Sequence, residues 1–190
     1  MKLRVGNDLD GVYYDFGASF NRYLATIGLE PVFTTVEPDR WSFFDHIMSP
    51  AEFLQHCHDG VEAGVIFRGP ARPGTHTVLW DLFDAGHDLV VITDRAFGKT
   101  PESSQKATLE WWYDENDLPP ITEIAFSADK TVLHTDVFVE DKLGNYDALI
   151  NNGTPCALIN RPWNLEDDGR FRISDVTDFP DMINHIFVPV

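Results

Sequence analysis

Short runs of aliphatic and β-branched residues recur along this chain, most of them leading into an acid or a hydroxyl, and helical patterns separate them. The runs are residues 3–7, leading into Asp8-Leu9-Asp10-Gly11, then Asp88–Thr93, 123–127, 136–141 and Cys156–Ile159. They are continuously apolar rather than alternating, the pattern of strands covered on both faces. Between them, Thr75 is placed to cap a helix that turns Val78, Leu79, Leu82 and Phe83 to one side and stops at Gly86. Further helical patterns cover residues 102–116 (Leu109, Trp112, Tyr113), 146–152, closed by Gly153, and 178–187 (Met182, Ile183, Ile186). Strand and helix in alternation predict an α/β fold, a doubly wound parallel sheet whose ligands bind beyond the strands' carboxyl ends.

Residues 17–74 break the alternation. One helical pattern runs through Phe20, Tyr23, Leu24 and Ile27, and aromatics and prolines follow without a clear strand. The expected organisation is a core of residues 1–16 and 75–190 with a small helical cap, 17–74, inserted after the first strand. Residues 163–169, with Glu166, Asp167 and Asp168, read as a solvated loop.

The formal charge of −17, from 31 acidic against 14 basic residues, repels polyphosphate backbones and anionic lipid, so duplex nucleic acid and membrane surfaces are excluded as expected partners. No apolar stretch is long enough to span a bilayer, and Asn7 and Asp8 interrupt the start before a signal-peptide core could form, so a cytoplasmic location is expected. There, Cys57 and Cys156 are expected as reduced, packed thiols.

The chemistry concentrates at the strand ends. Asp8 and Asp10 are two residues apart, so a strand would turn both carboxylates to one side, and Gly11 lets the chain leave sharply. Such a pair can divide the work on a phosphate ester, Asp8 attacking and Asp10 handling the proton. A carboxylate meeting a phosphate dianion needs a cation, and Mg²⁺ would be held by the Asp8 and Asp141 carboxylates with a main-chain oxygen at Asp10. A calcium-loop reading fails, because its twelfth position is Ser19. Thr93 offers a hydroxyl to a phosphoryl oxygen, and Lys130 a fixed charge. His56-Cys57-His58 is no metal site on a helix, where residues two apart diverge, and Asn152-Gly153-Thr154 is an idle glycosylation pattern.

Asp8-Leu9-Asp10-Gly11-Val12, Ile92-Thr93, Asp129-Lys130-Thr131-Val132 and Phe138-Val139-Glu140-Asp141 resemble, in order, the four motifs of the haloacid dehalogenase (HAD) phosphatases. With Asp15-Phe16 added, the chain is most similar to the 5′(3′)-deoxyribonucleotidases over about residues 3–163. That resemblance implies Mg²⁺-dependent hydrolysis of nucleoside monophosphates through an aspartyl-phosphate, and a homodimer, for which the sequence marks no seam. It implies that Phe16 and Trp41 help form an aromatic slot for the base and that Phe67 closes it. Two residues depart from the pattern: Asp94 stands where a small hydroxyl residue is usual, with Arg95 the nearest candidate to neutralise it, and Glu140 stands where aspartate is usual. Two other readings fit these residues: a HAD phosphatase of another small phosphoester, and a catalytically weakened nucleotide-binding protein.

Overall fold

The computed structural model describes residues 1–165 and 169–187; Glu166, Asp167 and Asp168 lie outside them. Six parallel strands, β1 (Arg4–Asn7), β2 (Asp88–Thr93), β3 (Glu123–Phe126), β4 (Val137–Glu140), β5 (Cys156–Ile159) and β6 (Arg172–Ile173), form one sheet in the order β3-β2-β1-β4-β5-β6. Among the described residues six α-helices accompany it: α1 (Phe16–Thr26), α2 (Pro50–Glu62), α3 (Thr75–Asp84), α4 (Pro101–Glu110), α5 (Leu143–Asn151) and α6 (Phe179–Phe187). The chain winds outward from β1 through β2 to β3, then returns to β4 on the other side of β1. That reversal opens a crevice at the carboxyl ends of β1 and β4, where doubly wound sheets bind ligands.

The apolar runs work because successive residues point to opposite faces. Val91, Val137, Val139, Ala157 and Ile159 join one buried cluster with α1, α3 and α6, while Val90, Ile92, Phe138 and Leu158 join another with Tyr146 and Leu149 of α5. Phe138 fits because Gly6 of β1 faces it: a Cβ on Gly6 would stand 2.1 Å from the Phe138 ring. Truncating Phe138 to alanine would cost about 3–5 kcal/mol by the usual transfer and cavity terms. Cys57 and Cys156 are buried free thiols. Among the described residues no helix is long and apolar enough to cross a membrane.

Several boundaries differ from the sequence expectation. Gly74 (φ 81°), not Thr75, occupies the cap position of α3, and Thr75 is buried with its hydroxyl unpartnered. The expected 102–116 helix is α-helical only to Glu110, then widens into a π-helical turn over Trp111–Glu115. Adjacent α-helical side chains diverge by roughly 100°, whereas Trp111 and Trp112 are both fully buried. Helix α5 starts at Leu143, ahead of residue 146. The short β6 carries too little pattern to read. Helix α2 was legible in principle: Ser49 and Glu52 form a reciprocal capping box and Pro50 opens the first turn.

Between β1 and α3, helices α1 and α2 enclose an aromatic cluster in which Phe44 and Phe53 stack at 3.8 Å and Phe20 lies 4.9 Å from Phe53. Phe16 extends it toward the crevice, with Phe43, Phe53, Phe67 and Phe97 around its ring.

Candidate active site

In the sheet, Asn7 pairs with Val91 of β2 and Val139 of β4, so Asp8 emerges between Ile92 and Glu140. Its amide is held by the Val139 carbonyl at 3.2 Å. Beyond it the chain turns at once: the Leu9 carbonyl accepts from the amides of Tyr13 and Tyr14, both at 2.9 Å. Gly11 lies at φ +83°, and a Cβ there would be 2.1 Å from Asp141 Oδ2, so only glycine lets this turn pass over the last strand motif. Arg161 steadies the turn from outside, donating from Nε to the Gly11 carbonyl at 2.5 Å and from Nη2 to that of Val12 at 3.3 Å.

Lys130 Nζ donates to Asp8 Oδ1 at 2.7 Å and to the Ile92 carbonyl at 2.8 Å, which fixes both the carboxylate and the ammonium. Asp8, Glu140 and Asp141 are buried and each brings a carboxylate oxygen within 4.8 Å of the others. Glu140 Oε1 accepts from the amides of Asp141 (3.1 Å) and Lys142 (3.0 Å), and Asp141 Oδ2 accepts from Trp163 Nε1 at 2.9 Å. Among the described residues Glu140 Oε2 and Asp141 Oδ1 have no hydrogen-bond partner.

The electrostatics follow from burial. Desolvation raises the pKa of Asp8 and Lys130 only partly offsets it. Burial, reinforced by the Asp8 charge, pushes Glu140 well up and Asp141 up to about 7. Burial would lower Lys130, but Asp8 and Glu140 outweigh it and hold the ammonium protonated. Three carboxylates against one ammonium leave the cluster short of positive charge, with oxygens unpartnered. Hard oxygen donors in that state suit a divalent cation.

Asp8, Asp10, Phe16, Trp41, Asp94, Lys130 and Asp141, all expected from the sequence, line one cavity of about 250 Å³. That is small beside the roughly 300–1,000 Å³ of typical ligand pockets, and suits a compact substrate. Phe43, Phe44, Phe53, Phe97 and Trp163 complete its aromatic side. Thr93 and Phe67 are not in the lining. Thr93 is fully buried at the end of β2 with its hydroxyl unpartnered. Phe67 is also fully buried, stacked behind Phe97 at 6.0 Å, so it supports a wall rather than closing the slot.

Arg95 does not neutralise Asp94. Its guanidinium grips Asp10 instead, with Nε and Nη2 each 2.9 Å from a carboxylate oxygen. The Asp10 carboxylate therefore stands outside the acidic triad of Asp8, Glu140 and Asp141. Asp94 stays exposed in the cavity. Trp163, expected in a surface loop, instead faces Trp41 (ring centroids 6.5 Å), whose ring also receives the Lys142 ammonium at 5.1 Å. Glu140 was readable as a ligand-grade carboxylate from its place beside Asp141; Trp163, Arg161 and Arg95 carried no such signal, because their partners are distant in sequence.

The family model for the 5′ nucleotidase, deoxy (pyrimidine), cytosolic type C protein matches residues 2–188. The chain belongs to this family. A curated protein of Chlorobaculum tepidum, named as a candidate 5′(3′)-deoxyribonucleotidase, is 25% identical over 151 residues, 78% of this nucleotidase chain and 74% of the relative. Among solved structures, the haloacid dehalogenase-like hydrolase SP0104 of Streptococcus pneumoniae superposes with a TM-score of 0.61 at 11% identity, covering 96% of this chain and 98% of that one. CbbY of Rhodobacter sphaeroides, crystallised with phosphate, gives 0.57 at 16% identity over 94% and 96%. These likenesses establish the HAD fold for the nucleotidase. With its family membership, they make it a phosphoric monoester hydrolase of the 5′-nucleotidase type.

Proposed function

We propose that this chain hydrolyses (deoxy)ribonucleoside monophosphates to nucleoside and phosphate through an aspartyl-phosphate on Asp8, with Mg²⁺ as cofactor. The observation that carries the reading is the meeting of Asp8, Lys130, Glu140 and Asp141 at one end of a cavity whose other side is aromatic. Charge handling at one end and flat apolar faces at the other match the two ends of a nucleotide.

Asp8 Oδ attacks phosphorus, and the ester oxygen leaves with a proton from Asp10. Asp10 then removes a proton from water, which attacks the aspartyl-phosphate and restores Asp8. Lys130, held by Ile92, balances the charge on the transferring group. Asp8 and Asp141, with the Asp10 main-chain oxygen and Glu140 beside them, would hold Mg²⁺. When bound, the ion supplies the charge that lets an anionic carboxylate approach a phosphate dianion.

On this reading residues 17–74 act as a cap whose Trp41, with Phe16, presents aromatic faces to the base. Asp94 then faces the substrate with no neutralising partner among the described residues. A phosphate-release screen over ribo- and deoxyribonucleoside 5′- and 3′-monophosphates with Mg²⁺ tests the proposal. Release from nucleotides is expected; activity confined to sugar phosphates would reject the substrate while keeping the reaction.

A further inference from the structure

Arg95 has no part in the reaction just described, yet it is among the largest fully buried side chains of the protein. Its Nε and Nη2 take both oxygens of Asp10 at 2.9 Å, and Nη1 donates to Thr108 Oγ1 of α4 at 3.2 Å. The guanidinium carbon lies 4.3 Å from the Phe67 ring centroid, 4.7 Å from that of Tyr14 and 5.4 Å from that of Trp111. A two-point arginine–carboxylate pair fixes the carboxylate's plane as well as its position. Aromatic faces and a hydroxyl around the guanidinium leave it little freedom to swing.

Local irregularities of the backbone bring these groups together. Phe67 is held at φ 60°, a conformation that a bulky residue adopts only where its surroundings impose it. Trp111 opens the π-helical turn, a distortion frequent at functional sites. Tyr14 precedes residues 17–74 and Phe67 lies near their end, so Arg95 is anchored on both sides of that stretch. A buried ion pair adds little stability over an apolar residue of similar volume, so packing alone is a poor reason for an arginine here. Asp10 nevertheless lines the cavity, while Arg95 does not.

We propose that Arg95 is a positioning residue: it sets the Asp10 carboxylate in the plane from which that group passes a proton to the leaving oxygen. The proposal rests on the reading of Asp10 as the proton donor of a phosphatase reaction. Arg95 does not line the cavity, so its effect is exerted through Asp10.

The test uses the dependence on the leaving group. A nucleoside leaves as an alkoxide and needs a proton; p-nitrophenolate leaves without one. For Arg95→Met, kcat/KM on the alkyl phosphoester that the wild type hydrolyses is expected to fall about 100-fold, within the range of general acid catalysis. On p-nitrophenyl phosphate it should fall less than about threefold, because little proton transfer is required there. Mn²⁺ binding measured by calorimetry should be unchanged. Arg95→Lys, with one ammonium in place of the fork, should recover roughly tenfold of the lost alkyl-phosphoester activity. Equal losses on both substrates, or none on either, would overturn the proposal. Should Arg95→Met fail to fold, Arg95→Lys decides by the same contrast. A wild type inactive on both substrates would instead remove the phosphatase reading and this proposal with it; a wild type active on both, with equal losses in the variants, sinks only the role of Arg95.

Discussion

The two ends of the cavity are built in opposite ways. At the sheet end, Asp8, Lys130, Glu140 and Asp141 are buried, and each is tied to backbone or to its neighbours by hydrogen bonds of 2.7–3.2 Å. At the other end, the residues between β1 and α3 offer ring faces, and Trp41 keeps 54% of its surface exposed. A strand end fixes a reacting group to within a fraction of an ångström, as preorganised charge chemistry requires. Stacking tolerates wider geometry. On the proposed reading the reaction belongs to the sheet end and the choice of substrate to residues 17–74, and substitutions at each end should separate the two.

The largest expected effect is at the sheet end. Asp8→Asn should reduce phosphate release to background while keeping the fold, checked by circular dichroism alongside the assay; near-normal turnover would dissolve the contrast. Lys130→Ala should lower kcat by roughly two orders of magnitude, as for loss of one preorganised charge, with a smaller change in KM.

Acidity should sharpen the contrast, because only the sheet end titrates in this way. Burial raises Asp141 to about 7 and raises Glu140 as well. These groups favour the metal-free folded state most below their ordinary carboxylate pKa, and that contribution is lost as pH rises through about 7. Thermal melts of the metal-free protein should therefore show falling stability from pH 5 toward pH 8. A divalent ion requires the ionised forms, so its affinity should rise by up to about tenfold per pH unit below neutrality, with proton release seen by calorimetry in buffers of different ionisation enthalpy. A flat affinity profile would remove these carboxylates from the metal site.

The smallest effect belongs to the aromatic end. Trp41→Ala should raise KM for nucleotides by about five- to tenfold, the worth of one stacking contact, and leave kcat nearly unchanged. A loss mainly in kcat would mean that this end, too, takes part in the chemistry.

The same contrast governs what the sequence revealed. Strands β2 and β5 were legible to their end residues, since β-branched runs closed by polar residues have few other folds open to them. The motif carboxylates were legible because strand ends must converge at the crevice. The aromatic end was legible only in part, at Phe16 and Trp41, because an exposed ring such as Trp41 and a buried one such as Phe67 look alike in sequence. The pairing of Arg95 was misjudged for a related reason: proximity in sequence favoured Asp94, whereas a buried guanidinium takes the carboxylate that three-dimensional packing brings to it. Trp163 reached Asp141 across 22 positions, beyond any local pattern.

Mass spectrometry of acid-quenched enzyme taken during turnover tests most directly whether Asp8 accepts the phosphoryl group. One phosphoryl group on the peptide containing Asp8, absent from Asp8→Asn, is the expected result. Phosphate release with that peptide unmodified at every time point, or with the group on another residue, would contradict it.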